Sequence, residues 1–256
     1  MGRVRLHDAR RQAIIHALEQ AGELSVGELS EQFHVSEVTI RQDLQALAEQ
    51  SLLIRTRGGA RLATAHPELP FEVRQRQQAE QKARIGRAAA QMVQPGDSLV
   101  IDASTTALAM VPFLKPLPEL TVLTNSLNVA VGLLRVPQAH VIMPGGSLRR
   151  DAVSLVGQQS SEFFYGLNAR IGFFGARGFT LEQGLTDINL EEARTKRRMV
   201  EMCQVVVGIL DGSKWKQTSV VTFAGIKDVN CIVTDESAPA ELVQQVRSRG
   251  VEVIVV

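Results

Sequence analysis

The sequence predicts two domains, a small helical bundle closed by a β-hairpin and then a larger α/β domain built on a mostly parallel sheet. Three observations carry that expectation. Apolar residues recur at helical spacing from Arg5 to about Gln50, a basic Gly-Gly segment follows, and beyond Gly96 short apolar runs alternate with helical segments. The expected division is 1–62 for the first domain, 63–84 for a linker and connecting helix, and 85–256 for the second.

In the first domain, Ile14, Ile15 and Leu18 share one face of a helix that Gly22 ends. A second helix starts after Ser25 and buries Val26, Leu29 and Phe33. Ser36 then caps a third, SEVTIRQDLQALAEQ, whose Ile40, Leu44 and Leu47 form one apolar stripe. Only His34 and Val35 separate the second and third helices, which is the short turn of a helix-turn-helix. In LLIRTRGGARL two extended runs flank Gly58 and Gly59, a hairpin signal. The proline-bearing stretch LATAHPELP reads as linker, and Phe71 to Val93 as helical.

The second domain opens near Gly96. Its strands are SLVID, TVLTN, HVIMP, ARIGFFG, VVVGILD, CIVTD and VEVIVV; between them lie TALAMVPFL, LNVAVGLL, LEEARTKRRMVEM and PAELVQQVRSRG at helical spacing. The strands are continuously apolar rather than alternating, as in a parallel sheet covered on both faces.

Composition bounds the function classes. With 28 basic and 27 acidic side chains and no basic tail, non-specific phosphate binding is not the whole function. Cys203 and Cys231 each sit in an apolar run and read as buried thiols. No Cys/His spacing suits a metal and no cofactor is expected. Neither a signal peptide nor an apolar run of about 18 residues is legible, so a cytoplasmic protein is expected, without a membrane partner.

On the third helix the apolar stripe turns inward, leaving Ser36, Glu37, Thr39, Arg41 and Gln42 outward, where a recognition helix meets base edges. Arg41 suits guanine, Gln42 adenine, and Ser36 and Thr39 phosphates or bases. Arg55, Arg57 and Arg61 make a basic wing around Gly58, and Ser25 at the second helix start completes the candidate DNA-contacting set. The competing reading is a three-helix bundle with a solvated polar face.

Ligands of open parallel sheets bind at the carboxyl ends of strands. The loops there are Asp102-Ala103-Ser104-Thr105-Thr106, Thr124-Asn125-Ser126, the Gly145-Gly146 turn, Gly175-Ala176-Arg177-Gly178 and Asp211-Gly212-Ser213-Lys214. Glycines and small hydroxyl residues let backbone N–H groups approach an anion. Lys196 and Lys214 suit phosphate charge, and Asp102 and Asp211 suit sugar hydroxyls. Each has an ordinary reading too: Ser126 as a helix cap, Gly145-Gly146 as a turn, and the Arg194, Lys196, Arg197, Arg198 run as a solvated helix face. Together the loops describe a site for a phosphorylated polyol.

The stretch LSVGELSEQFHVSEVTIRQDLQALAEQSLLIRTRGGA resembles the N-terminal signature of the DeoR family of bacterial regulators, with V-S-x-x-T-I-R-x-D-L at Val35 to Leu44 and Gly-Gly-Ala at Gly58 to Ala60. Gln42 stands where the family's Arg-Arg-Asp has its second arginine. The resemblance extends through Asp102 to Thr106, Thr124 to Ser126, Gly145-Gly146, Phe174 to Gly178, the Glu191-Glu192…Lys196 helix and Asp211 to Lys214. Ser104 replaces a usual glycine, and Arg177 stands where an acid is common. This likeness implies a winged helix-turn-helix joined to a sensor similar in fold to ribose-5-phosphate isomerase and CoA-transferase domains. It also implies a repressor of a carbohydrate catabolic operon, a homodimer or homotetramer on double-stranded operator DNA, released by a sugar phosphate or related anionic sugar. The alternative is a sugar-phosphate isomerase or transferase fused to a DNA-binding domain, with Glu191, Glu192, Asp102 and Lys214 as acid–base groups; fold similarity alone does not transfer activity.

Overall fold

The structure is a computed structural model that describes residues 10–11, 13–15, 17–18, 21–49, 53–62 and 69–256. The chain divides into two compact units, Met1–Leu69 and Pro70–Val256. The central residues 63–68 of the expected linker lie outside the described residues.

In the first unit, the described residues between Arg10 and Ala21 are helical and bury Ile14, Ile15 and Leu18, and Gly22 follows at φ +78°, its amide bonded to the Leu18 carbonyl at 2.8 Å. Strand β1 (Glu23–Ser25) leads into α1 (Val26–Phe33), where Ser25 and Glu28 form a reciprocal capping box. His34 in the left-handed region ends α1. Helix α2 (Glu37–Glu49) follows, and Ile40, Leu44 and Leu47 meet Val26 and Leu29 in the core. Phe33 is only half-buried, because it sits at the last position of α1.

The hairpin consists of β2 (Leu53–Thr56) and β3 (Gly59–Leu62), so the turn is Arg57-Gly58 rather than Gly58-Gly59. The two glycines do different work. Gly58 takes φ +102°, whereas Gly59 pairs with Ser25 so closely that a Cβ would stand 2.2 Å from the Leu24 carbonyl oxygen. Strand β1, absent from the sequence reading, is the partner that requires this.

The second unit begins with α3 (Phe71–Arg76) and α4 (Ala79–Ala90). The helical stretch expected from Phe71 to Val93 is thus in two pieces: Gln77 is extended and Gln78 left-handed at φ +51°. A continuous helix would bond the Gln78 amide to the Arg74 carbonyl. Here that carbonyl instead accepts from the Lys82 ammonium at 2.5 Å.

Seven parallel strands form the main sheet: β4 (Ser98–Ile101), β5 (Thr121–Leu123), β6 (His140–Ile142), β9 (Ala169–Phe174), β12 (Cys203–Leu210), β14 (Cys231–Thr234) and β15 (Glu252–Val255). Their order is β15-β14-β12-β9-β4-β5-β6, so the topology switches direction between β4 and β9. Leu99 and Ile101 face one core and Val100 the other, which is why these strands are apolar on both sides. One face is covered by α4, by α5 (Thr105–Leu108) and its 3-10 extension Val111–Leu114, and by α6 (Leu127–Leu133). TALAMVPFL is thus two short pieces, since Pro112 removes a helix donor.

Three features were not legible in the strand pattern. They are the hairpin β7 (Ser147–Arg149)–β8 (Ser154–Val156), helix α7 (Gln158–Phe163), and an antiparallel sheet of β10 (Gly178–Thr180), β11 (Gly184–Asp187) and β13 (Val221–Ala224). With α8 (Leu190–Glu201) and α9 (Ala240–Ser248) that sheet covers the second core. Cys203 and Cys231 are free thiols that burial pushes up to about 12.

Candidate functional site

On α2, Ser36, Glu37, Arg41 and Gln42 are exposed and Thr39 is half-buried. Ser36 caps the helix by accepting from the Thr39 amide at 3.2 Å, and Arg41 pairs with Glu37 at 2.7 Å on the surface. An exposed pair of this kind is weak and opens readily toward a base edge. Val38, 61 % exposed beside them, was missed in the sequence; an apolar side chain among polar neighbours suits a thymine methyl. Asp43 points the other way: it is buried and paired with Arg10 at 2.6 Å and Arg11 at 2.8 Å, fastening α2 to the first helix.

The wing arginines divide. Arg57 and Arg61 are exposed with Gly58 between them, while Arg55 is half-buried and donates to the Arg41 carbonyl at 3.3 Å. Arg55 therefore braces the wing against α2. Ser25 is exposed, but its hydroxyl oxygen caps α1.

In the second unit the switch point is built on Asp102. Its carboxylate accepts from the amides of Ser104 and Gly175, both at 3.0 Å, and meets Lys196 at 3.0 Å. Lys196 also bonds Asp187 at 2.8 Å and the Gly175 carbonyl at 2.9 Å. Burial opposes its charge, but Asp102, Asp187 and Glu192 outweigh that and hold its pKa above the usual lysine value. This corrects two expectations: Lys196 is buried rather than on a solvated face, and its donors are committed to protein oxygens. Ser104 caps α5 through the Ala107 amide at 3.1 Å, and its side chain fills the space over Gly175, where a Cβ would lie 2.3 Å from the hydroxyl oxygen. Ala103, Thr105 and Thr106 are buried behind it.

A second cluster centres on Glu192. It accepts from Asn125 at 3.0 Å, Ser154 at 2.6 Å and Arg149 at 3.2 Å. Asn125 is fully buried, and among the described residues its Oδ1 has no hydrogen-bond partner. Thr124 and Ser126 serve their own loop, Thr124 accepting from the Ser126 amide and Ser126 from that of Val129. Glu191 is exposed in the first turn of α8, so Glu192 is the inward acid. Helical spacing carried the signal: Glu192 shares the face of Ala193, Lys196 and Met199, and Glu191 does not.

A third group is cationic. Burial, then the charges of Lys214, Arg74 and Arg177, push Lys82 down to about 7, with Asp211 opposing. Burial and Arg177 likewise push Arg74 down to about 9. Arg177 and Lys214 are half-buried, and Asp211 is buried with its carboxylate on the Ser213 amide at 3.1 Å. Lys82 and Arg74 escaped the sequence reading because they precede the first strand of the sheet. Gly145 and Gly146 are exposed; Gly146, at φ +132°, shapes the turn, where a Cβ would stand 2.6 Å from the Val156 carbonyl oxygen. Among the described residues no group of His, Cys, Asp and Glu is placed to hold a metal, and no helix is long and apolar enough to cross a membrane.

A helix-turn-helix with a polar outward helix and a basic wing, in one chain with an α/β unit whose charged groups gather at its switch point, defines a DNA-binding transcription regulator with a sensor domain. The family model described as "DeoR-like helix-turn-helix domain" matches residues 10–66, and "DeoR C terminal sensor domain" matches 77–236. The chain belongs to the DeoR family. It is 32% identical over 250 residues, 96% of this chain and 93% of the relative, to the "Putative aga operon transcriptional repressor" of Escherichia coli O157:H7. It is 34% identical over 235 residues, 92% of this chain and 93% of the relative, to the "Glycerol-3-phosphate regulon repressor" of Escherichia coli K12. These relatives are regulators rather than enzymes. A ribose 5-phosphate isomerase A of Methanocaldococcus jannaschii is similar over 54% of each chain at a TM-score of 0.38 and 14% identity, too distant to bear on function.

Proposed function

We propose that this chain represses genes for carbohydrate use and leaves its operator when a phosphorylated sugar, or another small anionic sugar, binds at the switch point. The observation that carries this reading is the cation group of Arg74, Lys82, Arg177 and Lys214 beside the carboxylates of Asp102, Asp187, Glu192 and Asp211. Cations suit the anionic group; carboxylates and the Asn125 Oδ1, which no described residue bonds, suit hydroxyls. The names of the relatives, an aga operon repressor and a glycerol-3-phosphate regulon repressor, support the same class of ligand.

On this reading residues 1–62 bind DNA, 63–84 connect while lending Arg74 and Lys82 to the site, and 85–256 sense. Ser36, Thr39, Arg41 and Gln42 read the operator; Ser25, Arg57, Gly58 and Arg61 lie toward phosphates, and Glu37 orients Arg41. The regulator works in the cytoplasm as a homodimer or homotetramer, because paired half-sites call for two-fold symmetry. The test is fluorescence anisotropy on DNA from upstream of the chain's own gene, with sugars and their phosphates added in pairs. Release by phosphorylated members alone supports the reading; a complex that ignores every anionic sugar overturns the effector half.

A further inference from the structure

The break between α3 and α4 is at odds with its own sequence. Residues 74–82, RQRQQAEQK, are strong helix formers without glycine or proline, yet Gln78 adopts the left-handed conformation that disfavours side chains. Such strain persists only where the surroundings impose it. What imposes it here is Lys82, which occupies the Arg74 carbonyl that the Gln78 amide would take in a continuous helix. Lys82 is 5 % exposed and uses one of its three donors; among the described residues no carboxylate lies within ion-pair distance of it. A buried ammonium held by a lone carbonyl, with three cations and the single carboxylate of Asp211 acting on it from farther away, is a group able to take an anion.

The middle of α4 cannot yield. A Cβ at Gly86, one turn beyond Lys82, would stand 2.7 Å from the Ala109 backbone, so α4 lies directly against the end of α5. A rearrangement at Gln77-Gln78 therefore moves α3, the segment the chain enters on leaving the linker.

We propose that Lys82 is an anion-binding residue of the sensor site and that its hold on the Arg74 carbonyl keeps α3 and α4 apart until an anion draws the ammonium away. The freed carbonyl then takes the Gln78 amide, the two helices join, and occupancy is transmitted toward the DNA-binding unit. This rests on the effector-site reading above and adds the residue that senses the anion and the element that responds.

The test uses the full chain with inorganic phosphate as probe, at constant ionic strength, reading affinity by calorimetry and amide hydrogen exchange over Gln77–Lys82. In the wild type, phosphate binds and slows exchange there. Lys82→Gln loses about tenfold or more in affinity, as expected for a charge-assisted bond, while Lys82→Arg retains part of it. Gln78→Ala, less tolerant of the left-handed conformation than Gln78→Gly, exchanges slowly without phosphate and binds operator about tenfold more weakly than Gln78→Gly. Phosphate binding with unchanged exchange over Gln77–Lys82, or undiminished affinity in Lys82→Gln with a normal melting profile, overturns the inference and leaves the site reading intact. No phosphate binding to the wild type overturns both.

Discussion

Lys82 and Lys196 are buried ammonium groups with opposite electrostatics. Lys196 is held by two carboxylates, so Lys196→Met leaves Asp102 and Asp187 facing each other in the interior. Removing one member of a buried ion cluster costs about 3–5 kcal/mol, and urea unfolding followed at Trp215 should show a loss of that size. Lys82 should do the reverse. Its folded pKa, about 7, lies below the ordinary 10.5, so between these values the unfolded chain binds the extra proton and stability rises with pH. The groups facing it are Arg74 on α3, Arg177 after β9, and Asp211 and Lys214 after β12. Lys82→Gln is therefore expected to melt above the wild type at pH 6, with the advantage shrinking above pH 7. A constant difference from pH 6 to 10 would mean that Lys82 is not titrating there.

At the scale of elements, recognition helix and wing should answer to different measurements. Arg41→Ala is expected to cost about 1–3 kcal/mol on the preferred operator and to relax the choice of base at one position. Arg57→Ala should weaken all sequences alike and lower the salt slope by about 1, since a phosphate contact carries no sequence information. Anisotropy across a salt series on matched and substituted operators separates the two. The elements also show how far the sequence could be read. All seven strands of the main sheet were legible, because strands buried on both faces read as unbroken apolar runs. Strand β1 was not: three residues, Glu23, Leu24 and Ser25, carry no alternation, and their pairing with β3 is a tertiary fact. The α3–α4 break was hidden for a sharper reason, since it has no local helix breaker and the bond that spans it comes from a lysine reaching back across it. The loops after the strands could be found by position; of the acids near them, Glu192 rather than Glu191 faces inward because Asn189 sets the start of α8.

For the whole molecule, a repressor that releases DNA on binding its effector must obey reciprocity. If the effector weakens operator binding by some factor, operator DNA weakens effector binding by the same factor, because both paths close one thermodynamic cycle. Coupling of about 1–3 kcal/mol, roughly 5- to 150-fold, is the usual scale. Once a sugar panel yields the effector, its affinity measured by calorimetry with and without saturating operator should differ by the factor found when anisotropy is measured with and without effector. A finite factor that levels off at saturating operator means that effector and DNA occupy the chain together at two coupled sites. Effector affinity that keeps falling in proportion to added operator, with no plateau, would mean instead that the sugar competes with DNA for one surface. Arg41→Ala sharpens the comparison, since it lowers operator affinity in both states and should leave the coupling factor unchanged if the two units communicate through the connecting segment rather than through the recognition helix itself.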